Sequence, residues 1–121
     1  MRVFVYFNLH KLLWSVRALE GPNKGRVIEH AREVFLTDCQ FKVSEAGRQR
    51  VIRERQKNVH AGVVGQLGGA RPASAPQGER VTYNPYKLAT FVRAGTVEPV
   101  HRAAAVWLHD RAAYAIEPSS A

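Results

Sequence analysis

The sequence predicts an α+β domain: a mostly antiparallel sheet, one long basic helix and a C-terminal β-hairpin. Three observations carry this expectation. Short segments with period-two alternation, separated by glycine, proline and asparagine turns, recur along the chain. One segment, Ser44–His60, drops that alternation for a run of Glu, Ala, Arg and Gln, which favour helix. The chain has 121 residues, 45% of them hydrophobic and 23% charged, which suits a single domain spanning 1–121 with its own core.

The elements follow in order. Arg2–Phe7 alternates with apolar or aromatic residues on both faces, as a central strand does. Leu13–Leu19 places Trp14, Val16 and Ala18 on one side and Ser15 and Arg17 on the other, so one face is wet or faces a ligand. Gly21–Gly25 is a turn by composition, and Arg26–His30 returns as its hairpin partner. Glu33–Leu36 and Gln40–Val43 read as two short strands around Thr37–Asp38. Ser44 is placed to cap the helix, with Glu45 suiting its positive end. Val51 and Ile52 supply a narrow apolar face. Asn58–Leu67 is expected to leave the helix as a strand. Gly68–Arg80 is a loop by composition and is expected to be flexible. Val81–Tyr83 is a short strand and Asn84–Pro85 a turn. Tyr86–Val92 is ambiguous between strand and short helix. Val100–His109 and Ala112–Glu117 form the terminal hairpin, with a helical start at Ala103–Ala105 as the rival reading. Pro118–Ala121 is expected to fray.

Charge is the least ordinary property. Eighteen Lys and Arg oppose ten Asp and Glu, for a net charge of +8. Such an excess favours nucleic acid, nucleotides or another anionic partner, although it also serves solubility. Arg48, Arg50, Arg53, Arg55 and Lys57 are concentrated in one stretch against only Glu45 and Glu54. On a continuous helix Arg50, Arg53 and Lys57 form an outward stripe, a secondary anion-binding set. Arg48 and Arg55 flank Ile52 at the edge of the buried face, where they can line a cleft. The lone Cys39 excludes an internal disulfide and a cysteine zinc site. No signal peptide and no membrane-length apolar run are recognisable, so the cytoplasm is the expected compartment.

Catalytic patterns are missing. His10, His30, His60, His101 and His109 include no pair at helical i, i+4 spacing, and each reads as a surface or interface hydrogen-bonding group. Neither a GxSxG elbow nor a phosphate-binding glycine motif is present. Cys39 adjoins Asp38, which opposes thiolate formation. No enzyme activity, metal or cofactor is therefore expected. What remains is cations with aromatics. Tyr83, Asn84, Tyr86 and Phe91 lie together in VTYNPYKLATFV. Stacking a base on an aromatic ring contributes about 1–3 kcal/mol, asparagine pairs with an adenine edge, and arginine forks grip phosphate. Phe91 has a rival reading as core, the favoured one for a large aromatic.

The stretches VYFNLHK, ALEGPNKGRVI, FKVSEAGRQRV and RERQKNVHAGVVG resemble the phage Thoeris anti-defence family. That family consists of sponges for cyclic ADP-ribose-type immune signals. The resemblance implies a compact α/β protein that forms homo-oligomers, with pockets between subunits that hold a cyclic nucleotide intact. It also implies separate sites for cyclic oligonucleotides. Under this reading Arg48 and Arg55 hold phosphates, Tyr83 or Phe91 stacks on the base, and Asn84 reads a base or ribose edge. Arg102 and Arg111 complete the cage, from the same or a second subunit. Two rival functions use the same cations: a single-stranded nucleic-acid binder tracked by Arg50, Arg53 and Lys57, and an inhibitor that docks on an acidic host protein.

Overall fold

The computed structural model describes residues 1–121. β1 (Arg2–Asn8) lies between β2 (Leu13–Ala18) and β5 (Ala61–Leu67); Val3 and Val5 are buried on one face, and the half-buried Phe4 and Tyr6 of the other lie against the Arg17 guanidinium. β3 (Val27–Ala31) pairs with the free side of β2 across the Gly21–Gly25 turn. The remaining strands are β4 (Glu33–Val43), β6 (Glu79–Thr82), β7 (Val92–Arg93), β8 (Arg102–His109) and β9 (Ala112–Ser119). All nine strands make one sheet in the order β3-β2-β1-β5-β4-β8-β9-β6-β7, and every pairing is antiparallel.

The only helix, α1 (Glu45–Glu54), has ten residues. This overturns the expected α+β fold with a long helix: the protein is mostly antiparallel sheet with one short helix. Ser44 does cap it, its hydroxyl accepting from the Gly47 N–H at 3.2 Å. Arg55 then takes a left-handed conformation (φ 54°) and its N–H closes the helix on the Val51 carbonyl. The physical reason is the apolar face. Val51 is the one buried residue of α1. Nothing apolar follows Ile52 before Val59, so a further turn would have nothing to pack against.

One core serves the whole sheet. Val3, Val5, Trp14 and Val16 from one end belong to the same buried cluster as Val81, Val100, Ala113 and Ala115 from the other. The sheet rolls so that strands distant in its order meet: His60, before β5, reaches Tyr83, after β6, and Arg111, after β8, reaches Phe7 of β1. Leu36 and Leu108 are fully buried within it, and each is worth about 1.5–3 kcal/mol of burial.

β4 corrects a second expectation. The two short strands are one strand of eleven residues, carried through Thr37–Asp38 by a β-bulge. Asp38 has φ 51°, and the register against β5 shifts between Thr37 and Gln40. The extra residue switches the inward set from Val34 and Leu36 to Cys39 and Phe41. Further differences lie at segment ends. β5 starts at Ala61 and not at Asn58, and β6 starts at Glu79. Within 86–92 only Val92 is in a strand, and residues 84–88 form a turn in which the Asn84 carbonyl accepts from the Lys87 and Leu88 N–H groups. β9 runs on to Ser119, pairing Pro118 with Ala103, so the sheet holds part of the tail expected to fray. No helix is long and apolar enough to cross a membrane.

Cys39 is 2% exposed, and its thiol is pushed up to about 12, first by burial and then by the Asp38 carboxylate. A disulfide reagent at pH 8 should therefore leave the folded protein untouched and titrate one thiol only after unfolding, which an absorbance assay reads directly. The pH dependence has a definite sign. The folded thiol holds its proton more tightly than the unfolded one. The associated stability is intact below about pH 9 and is lost as pH rises toward 12. Cys39→Ala should flatten that alkaline loss in thermal melts.

Candidate functional site

At one end of the rolled sheet the inner face opens into a cleft of about 1240 Å³. Its floor is core: Val5, Trp14, Val63, Val81, Leu108 and Ala113. One wall comes from the end of β1 and the turn after it. A second comes from the end of α1 and the extended return to β5, and a third from Arg80–Tyr86 with Phe91. Cations reach the cleft from separate elements: Arg55 and Lys57 beyond α1, Arg80 on β6, and Arg111 in the β8–β9 turn. The Arg111 guanidinium sits 5.2 Å from the centre of the Phe7 ring, which holds it over the β1 wall.

The aromatic wall is layered. Tyr83 stacks on Phe91 with ring centres 5.0 Å apart and planes 29° apart, and Phe91 packs on Phe41 at 5.0 Å. Phe91 lines the cleft and packs against the core cluster. The Tyr83 hydroxyl is 2.7 Å from His60 Nε2, and His60 Nδ1 is 2.8 Å from the Asn58 carbonyl oxygen. Burial raises the Tyr83 hydroxyl above its ordinary value, against the opposing pull of the Arg48 charge, so the phenol stays neutral.

The expected site residues divide. Arg55, Tyr83, Asn84, Phe91 and Arg111 line this one cleft, and so does Lys57, which lies beyond the helix and not on an outward stripe. Arg48 does not line it. Its Nε donates to the Pro85 carbonyl at 2.9 Å and its Nη1 to Glu45 at 3.0 Å, so it braces the 84–88 turn against α1. Gln49 and then Arg48 hold the Glu45 carboxyl below its usual range. Asn84 accepts the Tyr86 N–H on its side-chain oxygen at 3.0 Å, which ties its amide to the turn. Arg50 and Arg53 are exposed on α1 outside the cleft. Arg102 opens β8 between Gln40 and Ser119 and also lies outside it.

Sequence reasoning missed His60, Trp14 and Arg80. Trp14 is 7% exposed, and its indole N–H is buried in the cleft floor with no acceptor. Leaving such a donor unpaired costs about 1–3 kcal/mol. A histidine just before a strand, after a basic helix and ahead of a glycine, is the signal that could have found His60. A smaller cleft of about 350 Å³ lies elsewhere, lined by Glu29, Glu33 and Arg71. Its two carboxylates disfavour an anion. No three His, Cys, Asp or Glu side chains converge as a metal site would need.

Gly47 fits α1 to this wall. A Cβ there would lie 2.5 Å from the His60 Cβ. Gly47→Ala gains helix propensity of about 1 kcal/mol but forces α1 away from His60. The clash at the root of the His60 side chain outweighs that gain, so Gly47→Ala should lower the melting temperature, which circular dichroism reads.

A family model described as Mycobacterium phage L5 gene 82 protein matches residues 1–116. The chain belongs to this gene 82 protein family. It is 47% identical to the gene 82 protein of Mycobacterium phage L5 over 116 residues, covering 91% of each chain. No solved structure gives a significant match.

Proposed function

We propose that this gene 82 family protein binds a small phosphate-bearing nucleotide in the cleft and sequesters it without cleaving it. One observation supports this above the rest: Arg55 and Lys57 from the segment after α1 and Arg111 from the β8–β9 turn meet at the cleft that also holds the Tyr83–Phe91 stack. Cations grip phosphate and an aromatic face takes a base. The volume exceeds the range of about 300–1,000 Å³ usual for drug-sized ligands, which leaves room for two linked nucleotide units. A cyclic ADP-ribose-type or cyclic oligonucleotide signal has that size and charge. Holding it intact would keep an immune effector off in the host cytoplasm, the role of a phage anti-defence sponge. Leu9, Val59 and Tyr86 are exposed on the rim of the cleft. In a homo-oligomer a second subunit would cover them and close the pocket.

The test is titration with a panel of cyclic nucleotides and cyclic ADP-ribose isomers at two salt concentrations, beside single-stranded oligonucleotides of increasing length. The sponge reading requires saturation at fixed stoichiometry by one small ligand, with modest salt dependence. Arg50 and Arg53, exposed next to the cleft, favour a second reading as a single-strand binder. Affinity that grows with oligonucleotide length and falls steeply with salt would select it.

A further inference from the structure

The His60–Tyr83 pair has a defined hydrogen-bond direction. A carbonyl oxygen carries no proton. His60 Nδ1, 2.8 Å from the Asn58 oxygen, must therefore be the protonated nitrogen and the donor. In neutral imidazole Nε2 is then a bare acceptor. At 2.7 Å, the Tyr83 hydroxyl must donate to it. Tyr83 has one proton and has spent it on His60. What the hydroxyl offers the cleft is its lone pairs.

We infer that Tyr83 is a specificity-determining residue of the cleft, an acceptor that selects a base with an exocyclic amino group, and that His60 sets its polarity. This rests on the nucleotide reading of the cleft. An amino group donates to the hydroxyl oxygen, whereas a keto group in its place presents a second acceptor and leaves both unpaired. The selected class is therefore adenine-like and the rejected class hypoxanthine-like. His60 is a positioning residue, since it acts through Tyr83.

Two nucleotides that differ only along the C6–N1 edge of the base share every phosphate contact, so the ratio of their affinities isolates that edge.

The experiment measures ADP and its hypoxanthine counterpart IDP by calorimetry at pH 7.5, with inorganic pyrophosphate as the phosphate-only probe. The wild type should favour ADP by about fivefold, the worth of one neutral hydrogen bond. Tyr83→Phe keeps the ring and should bind both nucleotides equally. His60→Ala removes the acceptor that fixes the hydroxyl proton, so Tyr83 can donate as well as accept and the preference should shrink. Equal affinity of the wild type for ADP and IDP would overturn this inference and leave the nucleotide reading standing. Failure of ADP, IDP and pyrophosphate alike would overturn both.

Discussion

Gly62→Ala is expected to lower the stability of the protein by about 3 kcal/mol, at the upper end of overpacking costs. A Cβ at this position would lie 2.4 Å from the Val5 carbonyl oxygen and 2.7 Å from the Phe4 ring. The ring edge can swing aside, but the carbonyl is backbone held in the β1–β5 ladder. The strands must part at the start of β5. Both strands wall the cleft there, so ligand affinity should fall with stability. A drop of roughly 10 °C or more in the melting temperature, read by circular dichroism, would agree. An unchanged melting temperature would mean that β1 does not approach Gly62 so closely.

Arg111→Glu should weaken nucleotide binding by about 100-fold. A charge-assisted hydrogen bond to phosphate contributes about 1.5–3 kcal/mol, the new carboxylate adds repulsion, and each 1.4 kcal/mol is about tenfold in affinity. Arg111 is exposed in a turn, and its contact with Phe7 is a surface one, so the fold should survive. Arg50→Glu is the matched control. It makes the same charge change on the exposed side of α1, outside the cleft, and should change affinity by less than about threefold. Equal losses for both variants would mean that net charge, and not the cleft, governs binding.

Much of the sheet is legible in the sequence because alternation and turn chemistry are local. The hairpins β1–β2, β2–β3 and β8–β9 all lie near the segments marked by period-two patterns. The helix length is not legible. Propensity favours helix through Lys57, but length depends on what the helix packs against, and past Ile52 there is nothing. The Asp38 bulge is hidden for a related reason. It looks like a strand break until β5 and β8 are seen pairing on both sides of it. In the cleft, residue chemistry points to Arg55, Tyr83, Phe91 and Arg111, but Arg48 shows the limit of that reasoning. Its charge suits phosphate, yet the nearest acceptors, the Pro85 carbonyl and Glu45, are in its own fold. His60 becomes visible only when the rolled sheet brings it to Tyr83, distant in sequence.

The most direct measurement of the central claim is ligand recovery. The protein is incubated with the cyclic nucleotide panel, freed of unbound ligand and denatured by heat, and the released molecule is identified and counted. The sponge account predicts one nucleotide, chemically unchanged, at fixed stoichiometry, with none recovered from Arg111→Glu. Release of a cleaved product, or retention of no nucleotide at all, would contradict it.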